Sequence, residues 1–235
     1  MSEARCARPV GHGANRMSGA EVRNRTVFAE EQALSKRNQD LHGNAPDKSR
    51  VALLLIDVIN DLEFPGGDQL LQFALPMARQ IAALKQRTRR ERVPVIYVND
   101  NFGRWRSDFS AQVNHCLNDG VRGQRLVEVL RPETDDYFVL KPKHSGFFST
   151  ALETLLKYLG VDEVIITGIA ANICVLFTAN DAYMRDLRLA VPSDCVASNS
   201  SEENAHALEQ MRAVLKADTR PSTDIQFSAA GVLFE

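Results

Sequence analysis

The chain has 235 residues, 44% of them hydrophobic and 25% charged, with a formal net charge of −2. That length supports one well-formed core and is too short for two comfortable domains. The near-even charge balance favours neither nucleic acid nor an anionic membrane as partner, and no apolar run approaches the ~18 residues of a membrane span.

Residues 1–48 differ in character from the rest of the chain. The segment is polar, with Arg5, Arg8, Arg16, Arg23 and Arg25 set against few early acids, glycines at 11 and 13, and little large apolar content before Val27 and Phe28. It reads as an N-terminal extension, mobile or contacting an oligomer partner, with one short helix around Phe28–Arg37. A transit peptide is the sharper alternative, and no apolar core of a secretory signal is present. Four scattered cysteines, at positions 6, 116, 174 and 195, read as reduced thiols of a cytoplasmic protein.

A regular pattern begins at Val51, and residues 49–235 read as one domain. Val51–Ile56 is a continuous apolar run ending in Asp57, as expected of a strand buried on both faces. Apolar residues spaced along Gln69–Arg92 predict a long amphipathic helix, with Pro76 at a bend or restart. Val93–Val98 follows as a strand and Asn99–Gly103 as a loop. Leu126–Leu130 reads as a short helix, Tyr137–Leu140 as a strand and Phe147–Leu159 as a helix with Gly160 past its end. Glu163–Thr167 (strand), Asn172–Arg185 (helix), Leu187–Val191 (strand) and Glu202–Lys216 (helix) continue the alternation, and Ile225–Phe227 reads as a last edge strand. Such alternation predicts an α/β fold, a doubly wound, three-layer sandwich around a parallel sheet. Ligand sites in such sheets lie beyond the C-terminal strand ends, where Asp57, Asn99, Lys141, Gly168 and Asp194 converge.

Several chemistries lack their signatures. No G-x-G-x-x-G turn follows the first strand, no P-loop is present, and no Gly-x-Ser-x-Gly elbow supports a serine hydrolase. His144 and Ser145 are adjacent in sequence, and neighbours at a strand end point apart, which argues against a dyad.

The segment Ile165 to Ala182 carries the strongest signal. A buried strand ends at Gly168, and Cys174 falls in the first turn of the next helix. Unpaired N–H groups and the helix dipole there stabilise an anion, lower a thiol's pKa and can cradle an oxyanion. A small cysteine packing a helix on a sheet fits the same position, so position alone leaves both readings open. Asp57 can take the thiol proton and return it to a leaving amine, and Lys141 supplies positive charge favouring thiolate and carboxylate. Acid, base and thiol each come from a different strand end.

The pattern Asp57-x-x-Asn60-Asp61, Lys141-x-x-x-Ser145-Gly-Phe147, Gly168-Ile-Ala-Ala-x-x-Cys174-Val and Thr178-Ala-x-Asp181-Ala resembles the isochorismatase-like cysteine hydrolases, over roughly residues 50 to 225. The Lys-to-Ser spacing selects Lys141 over Lys143. The resemblance implies a six-stranded, mainly parallel sheet, a homo-oligomer (dimer or tetramer) and a catalytic trio of Asp57, Lys141 and Cys174. It also implies a non-proline cis peptide at Ala170–Ala171, with the amides of Ala171 and Cys174 as oxyanion hole. Family members typically carry Thr or a similar residue where this chain has Ala171. The implied reaction is cleavage of an amide or carbamoyl C–N bond in a small molecule through a thioester, with no cofactor.

Nicotinamidases of that superfamily bind a metal through an Asp-x-His pair and a further His near the second strand. The corresponding loop here, Asn99 to Asp108, has no histidine, so no metal site is expected. Asn101, Arg104 and Trp105, with Phe147, are the expected substrate contacts; Arg106 shares the loop. An oligomer interface is the alternative use of that loop. Hydrolysis of a vinyl ether and a non-catalytic scaffold remain as alternative functions.

Overall fold

The computed structural model describes residues 47–103, 108–228 and 231–232. The N-terminal extension up to residue 46, its expected helix, and Arg104, Trp105 and Arg106 lie outside the described residues.

Six parallel strands form the sheet. β1 (Val51–Ile56), β2 (Val95–Asp100), β3 (Tyr137–Lys141), β4 (Glu163–Ile169) and β5 (Arg188–Ala190) run in the spatial order β3-β2-β1-β4-β5, and β6 (Val196–Ala197) pairs with the far end of β4. Every residue of β1 is buried. Val51, Leu53 and Leu55 pack in one cluster with Leu70, Ala74, Met77, Ile81 and Leu84 of α1 (Gly67–Arg90). The alternate residues Ala52, Leu54 and Ile56 are buried on the opposite face, as the two-residue period of a strand requires. Buried residues of α4 (Leu152–Leu159) and α5 (Leu176–Tyr183) lie outside the α1 cluster, in keeping with helices on both faces. Each large side chain buried this way contributes roughly 1.5–3 kcal/mol. α2 (Phe109–Asn118), α3 (Gln124–Val129) and α6 (Ser201–Leu215) complete the helices. Among the described residues no helix is long and apolar enough to cross a membrane.

Several boundaries differ from the sequence reading. α1 runs unbroken through Pro76, which is exposed, so the carbonyl deprived of its helical donor faces solvent. α2 has no counterpart among the expected elements; its N-cap is Asp108, whose side chain accepts from the Ala111 amide at 2.7 Å. The helix expected over Phe147–Leu159 begins only at Leu152. Ile225–Phe227 does not edge the main sheet. Phe227–Ser228 (β7) pairs antiparallel with Gly231–Val232 (β8), and the sixth strand of the main sheet is the two-residue β6.

β1 and β4 are neighbours whose onward connections leave in opposite directions, toward β2 and toward β5. The crevice beyond the ends of these two strands is the topological switch point where such sheets place ligands. Gly168 makes their close approach possible. It pairs with Ile56 at φ +112°, and a Cβ there would stand 2.1 Å from the Ile56 carbonyl oxygen.

Candidate active site

Three strand ends deliver three side chains to one point. Asp57 follows β1 directly and adopts φ +53°, a left-handed conformation costing a non-glycine residue on the order of 1–2 kcal/mol. Its amide still donates to the Val98 carbonyl at 3.0 Å, so the kink is tied to β2. Lys141 is the last residue of β3 and is wholly buried. Its Nζ stands 2.9 Å from Asp57 Oδ2 and 3.5 Å from Cys174 Sγ, and donates to the Lys143 carbonyl at 3.2 Å. The Cys174 thiol and the Asp57 carboxylate are near enough for each to shift the other's proton affinity. Asp57 Oδ1 accepts the Asp100 amide at 2.6 Å. Asp57, Lys141 and Cys174 therefore meet as expected from the sequence, and Cys174 alone of the three remains partly exposed.

The cysteine segment differs in detail from the expected helix start. Ala171–Val175 forms a single π turn, and α5 begins at Leu176. The cis peptide is Ile169–Ala170, one bond before the expected Ala170–Ala171. The reason lies in the strand: β4 continues two residues beyond Thr167 to Ile169. Ala170 is still extended at φ −83° and ψ 144°, so strand and turn join one bond earlier than the sequence suggests. The Ala170 carbonyl accepts from Ile173 at 3.0 Å and Val175 at 3.1 Å. The Asn172 amide donates to Ser198 Oγ at 3.3 Å, and that hydroxyl donates to Asn172 Oδ1 at 3.0 Å. Among the described residues, the amides of Ala171 and Cys174 have no acceptor beyond the turn itself.

The electrostatics overturn one expectation. A helix start should lower the thiol's pKa, yet the Cys174 thiol is pushed well up, first by burial and then by the Asp57 charge, against the pull of Lys141. Burial also raises the Asp57 carboxyl above the ordinary carboxylate range, although Lys141 and the hydrogen bonds from Cys174 and the Asp100 amide oppose it. For Lys141, burial disfavours the ammonium, but the charges of Asp57, Cys174 and Asp100 outweigh it and its pKa rises. A buried carboxylate and a partly exposed thiol beside one cation are coupled, the charge of each opposing ionisation of the other.

Other expected residues take different places. Asn101 is buried; its amide donates to the Lys141 carbonyl at 3.0 Å and its Oδ1 accepts from Gly103 at 2.9 Å, so it shapes the loop after β2. The Phe147 ring is buried under the Arg185 guanidinium, 4.7 Å from its centroid, and belongs to that packing. Ser145 hydrogen-bonds Asp181, and Thr178 Oγ1 accepts the Gly146 amide at 3.0 Å and donates to the Cys174 carbonyl at 2.7 Å. The conspicuous Ser145, Thr178 and Asp181 thus fasten the lysine loop to the cysteine helix. Two further residues stand at the site without having been expected there. His144 Nδ1 lies 3.7 Å from Cys174 Sγ with its ring against Phe177, and Asp100 Oδ2 lies 3.5 Å from Lys141 Nζ. Only the strand-end position of Asp100 could have signalled it, and the apolar pattern ends β2 two residues short. Among the described residues no three His, Cys, Asp or Glu side chains form a metal-holding group.

Fold and site together define a parallel-sheet hydrolase. A family model described as an isochorismatase domain matches residues 51–219, and the chain belongs to the isochorismatase family. It is 46% identical over 171 residues to an uncharacterized isochorismatase family protein, YaaI, of Bacillus subtilis, covering 73% of this chain and 93% of that one. Enterobactin synthase component B of Escherichia coli is 30% identical over 167 residues, covering 69% of this chain and 58% of its own length. Among solved structures, N-carbamoylsarcosine amidase from Thermoplasma acidophilum superposes with a TM-score of 0.59 at 26% identity, covering 76% of this chain and 99% of that chain.

Proposed function

We propose that the protein cleaves an amide or carbamoyl C–N bond in a small molecule with Cys174 as nucleophile, Asp57 as acid and base, and Lys141 as the fixed cation between them. One observation carries the reading: a partly exposed thiol and a buried carboxylate that both contact one buried ammonium, at 3.5 and 2.9 Å. Neither partner holds its charge easily, so the proton lost by one is accepted by the other.

That pairing dictates the order of steps. The S–H proton passes to Asp57, and the sulfur attacks the carbonyl carbon to form a tetrahedral intermediate. Its oxyanion is received by the amides of Ala171 and Cys174, a reading supported by the engagement of the neighbouring amides of Asn172, Ile173 and Val175. Collapse breaks the C–N bond, and the nitrogen leaves with the proton from Asp57. Asp57, again a carboxylate, then takes a proton from water as it adds to the thioester, releasing the acid and restoring the thiol.

The similarity to N-carbamoylsarcosine amidase across nearly the whole of that chain supports C–N cleavage. A second reading, hydrolysis of an isochorismate-type vinyl ether, is favoured by the 31% identity over 170 residues to a protein named isochorismatase in Bacillus subtilis. The deciding experiment is mass spectrometry of the intact protein incubated with a panel of carboxamides and carbamoyl compounds, beside Cys174→Ala. An adduct on Cys174, absent from the variant, is the expected result. Turnover of a vinyl ether with no adduct would replace this reading with the second.

A further inference from the structure

We propose that Asp100 is a positioning residue whose charge holds the Lys141 ammonium and divides its field between Asp57 and Cys174. The proposal rests on the functional reading in which that ammonium serves the thiol and the carboxylate.

The placement of Asp100 is fixed from four directions. It is the last residue of β2 and pairs in register with Lys141 of β3, which sets the two side chains beside each other at the sheet's C-terminal edge. Its amide donates to Asp57 Oδ1 at 2.6 Å, and its carbonyl accepts from Gln112 Nε2 at 3.1 Å. Its Oδ1 accepts the Phe102 amide at 2.7 Å, which leaves Oδ2 toward Lys141 at 3.5 Å. Asn99, one residue earlier, is tied to the Ile59 amide and carbonyl at 3.1 and 2.7 Å, so the strand end cannot swing.

The ammonium has three hydrogens and four acceptors within reach: Asp57, Asp100, the Lys143 carbonyl and Cys174. The 3.5 Å approach to Asp100 is longer than an ordinary charged hydrogen bond, so its influence is mainly that of a charge. Among the described residues, the charged and titratable groups facing this point are Asp57 from β1, Asp100 from β2, Cys174 from the π turn and His144 beside the sulfur. A second carboxylate draws part of the ammonium's field away from Asp57 and Cys174. It thereby keeps the shared proton inside the site rather than releasing it to solvent.

Asn in place of Asp preserves the shape, the two backbone hydrogen bonds and an Oδ1 acceptor for Phe102, while removing the charge. Charge and turn-forming roles are therefore separable in one variant. The experiment measures the rate of Cys174 alkylation by iodoacetamide as a function of pH, read by peptide mass spectrometry, in wild type, Asp100→Asn and Asp100→Ala. It needs no substrate, so its failure is distinct from a failure to find C–N cleavage. In Asp100→Asn the undivided field of Lys141 should move the midpoint of the alkylation profile to lower pH by about half a unit or more. Asp100→Ala should shift it the same way while also disturbing the Phe102 turn. An Asp100→Asn profile superimposed on wild type, or one changed in height alone, would overturn the proposal and leave Asp100 a turn residue.

Discussion

Cys174 and Cys195 face nearly the same physics, and the proposed function gives them different uses. Both thiols are pushed up, in each case first by burial and then by an adjacent aspartate. Cys195 is fully buried. Its Asp194 has both oxygens engaged by Ser222, at 2.7 Å from the amide and 2.8 Å from the hydroxyl, so that carboxylate is occupied with holding a turn. Cys174 is partly exposed, and its aspartate is paired with a buried ammonium that also reaches the sulfur. A displaced thiol pKa therefore does not distinguish a nucleophile from a packing residue. On the proposed function, what distinguishes them is a carboxylate able to accept the proton, a cation within reach of both groups, and an open side for substrate.

The contrast breaks most sharply if the two cysteines are exchanged as targets. Cys174→Ala should reduce turnover of any substrate found in the panel by about four orders of magnitude or more. Cys195→Ala should leave turnover within about twofold while lowering stability by about 1–2 kcal/mol, since it opens a small cavity in the core. Turnover measured beside a urea midpoint separates the outcomes, and a Cys195→Ala enzyme that is folded but inactive would dissolve the distinction. Next in size is Lys141→Met, which leaves the Asp57 charge buried without its partner. A loss of about 3–5 kcal/mol is expected near neutral pH. Without the ammonium, Asp57 binds a proton more readily, and the protonated form needs no counter-ion. The gap between wild type and variant urea midpoints should therefore narrow as pH falls. A gap independent of pH would show that Asp57 does not depend on the lysine.

The pH dependence of activity sharpens the same comparison. At low pH Asp57 and Cys174 both hold protons, and no base is present. Activity should rise as the first proton leaves the coupled pair. Because burial raises Asp57 above its ordinary range, the acid limb of kcat/KM should lie above the ~4 of an ordinary carboxylate. A limb at or below that value would mean that Asp57 is not the group that accepts the proton.

Much of this arrangement is legible in the sequence because it rests on hydrophobic pattern. The unbroken run Val51–Ile56 marks a doubly buried strand, and its end places Asp57. Alternating strands and helices supply the parallel order, and the strand ends supply the three proposed reacting groups. What is not legible depends on register and on single-residue backbone geometry. Whether β2 stops at Val98 or runs to Asp100 is decided by hydrogen bonds to β3, which extend Asn99 and Asp100 against their turn-forming chemistry. The position of the cis peptide depends on how far β4 continues beyond Thr167. β6 has only two residues and no periodicity of its own; it exists because it meets Gly168 and Ile169. The direction of the thiol's pKa is misjudged from sequence because a helix start is visible there but the depth of the sulfur is not.

The smallest expected effect tests the choice between two neighbouring lysines. Lys141 and Lys143 lie two residues apart, and motif spacing alone favours the first. In the structure Lys141 is wholly buried, whereas Lys143 is exposed and meets the site only through its backbone carbonyl, which accepts from Lys141 Nζ at 3.2 Å. Lys143→Gln removes the exposed charge and leaves that carbonyl in place. Turnover within about twofold of wild type and stability within about 0.5 kcal/mol are expected, as for a surface substitution away from any buried partner. A large rise in KM with kcat unchanged would instead give Lys143 a part in drawing an anionic substrate toward the mouth. On the proposed function the charge that serves the sulfur would still be that of Lys141, because among the described residues only its ammonium reaches both the carboxylate and the thiol.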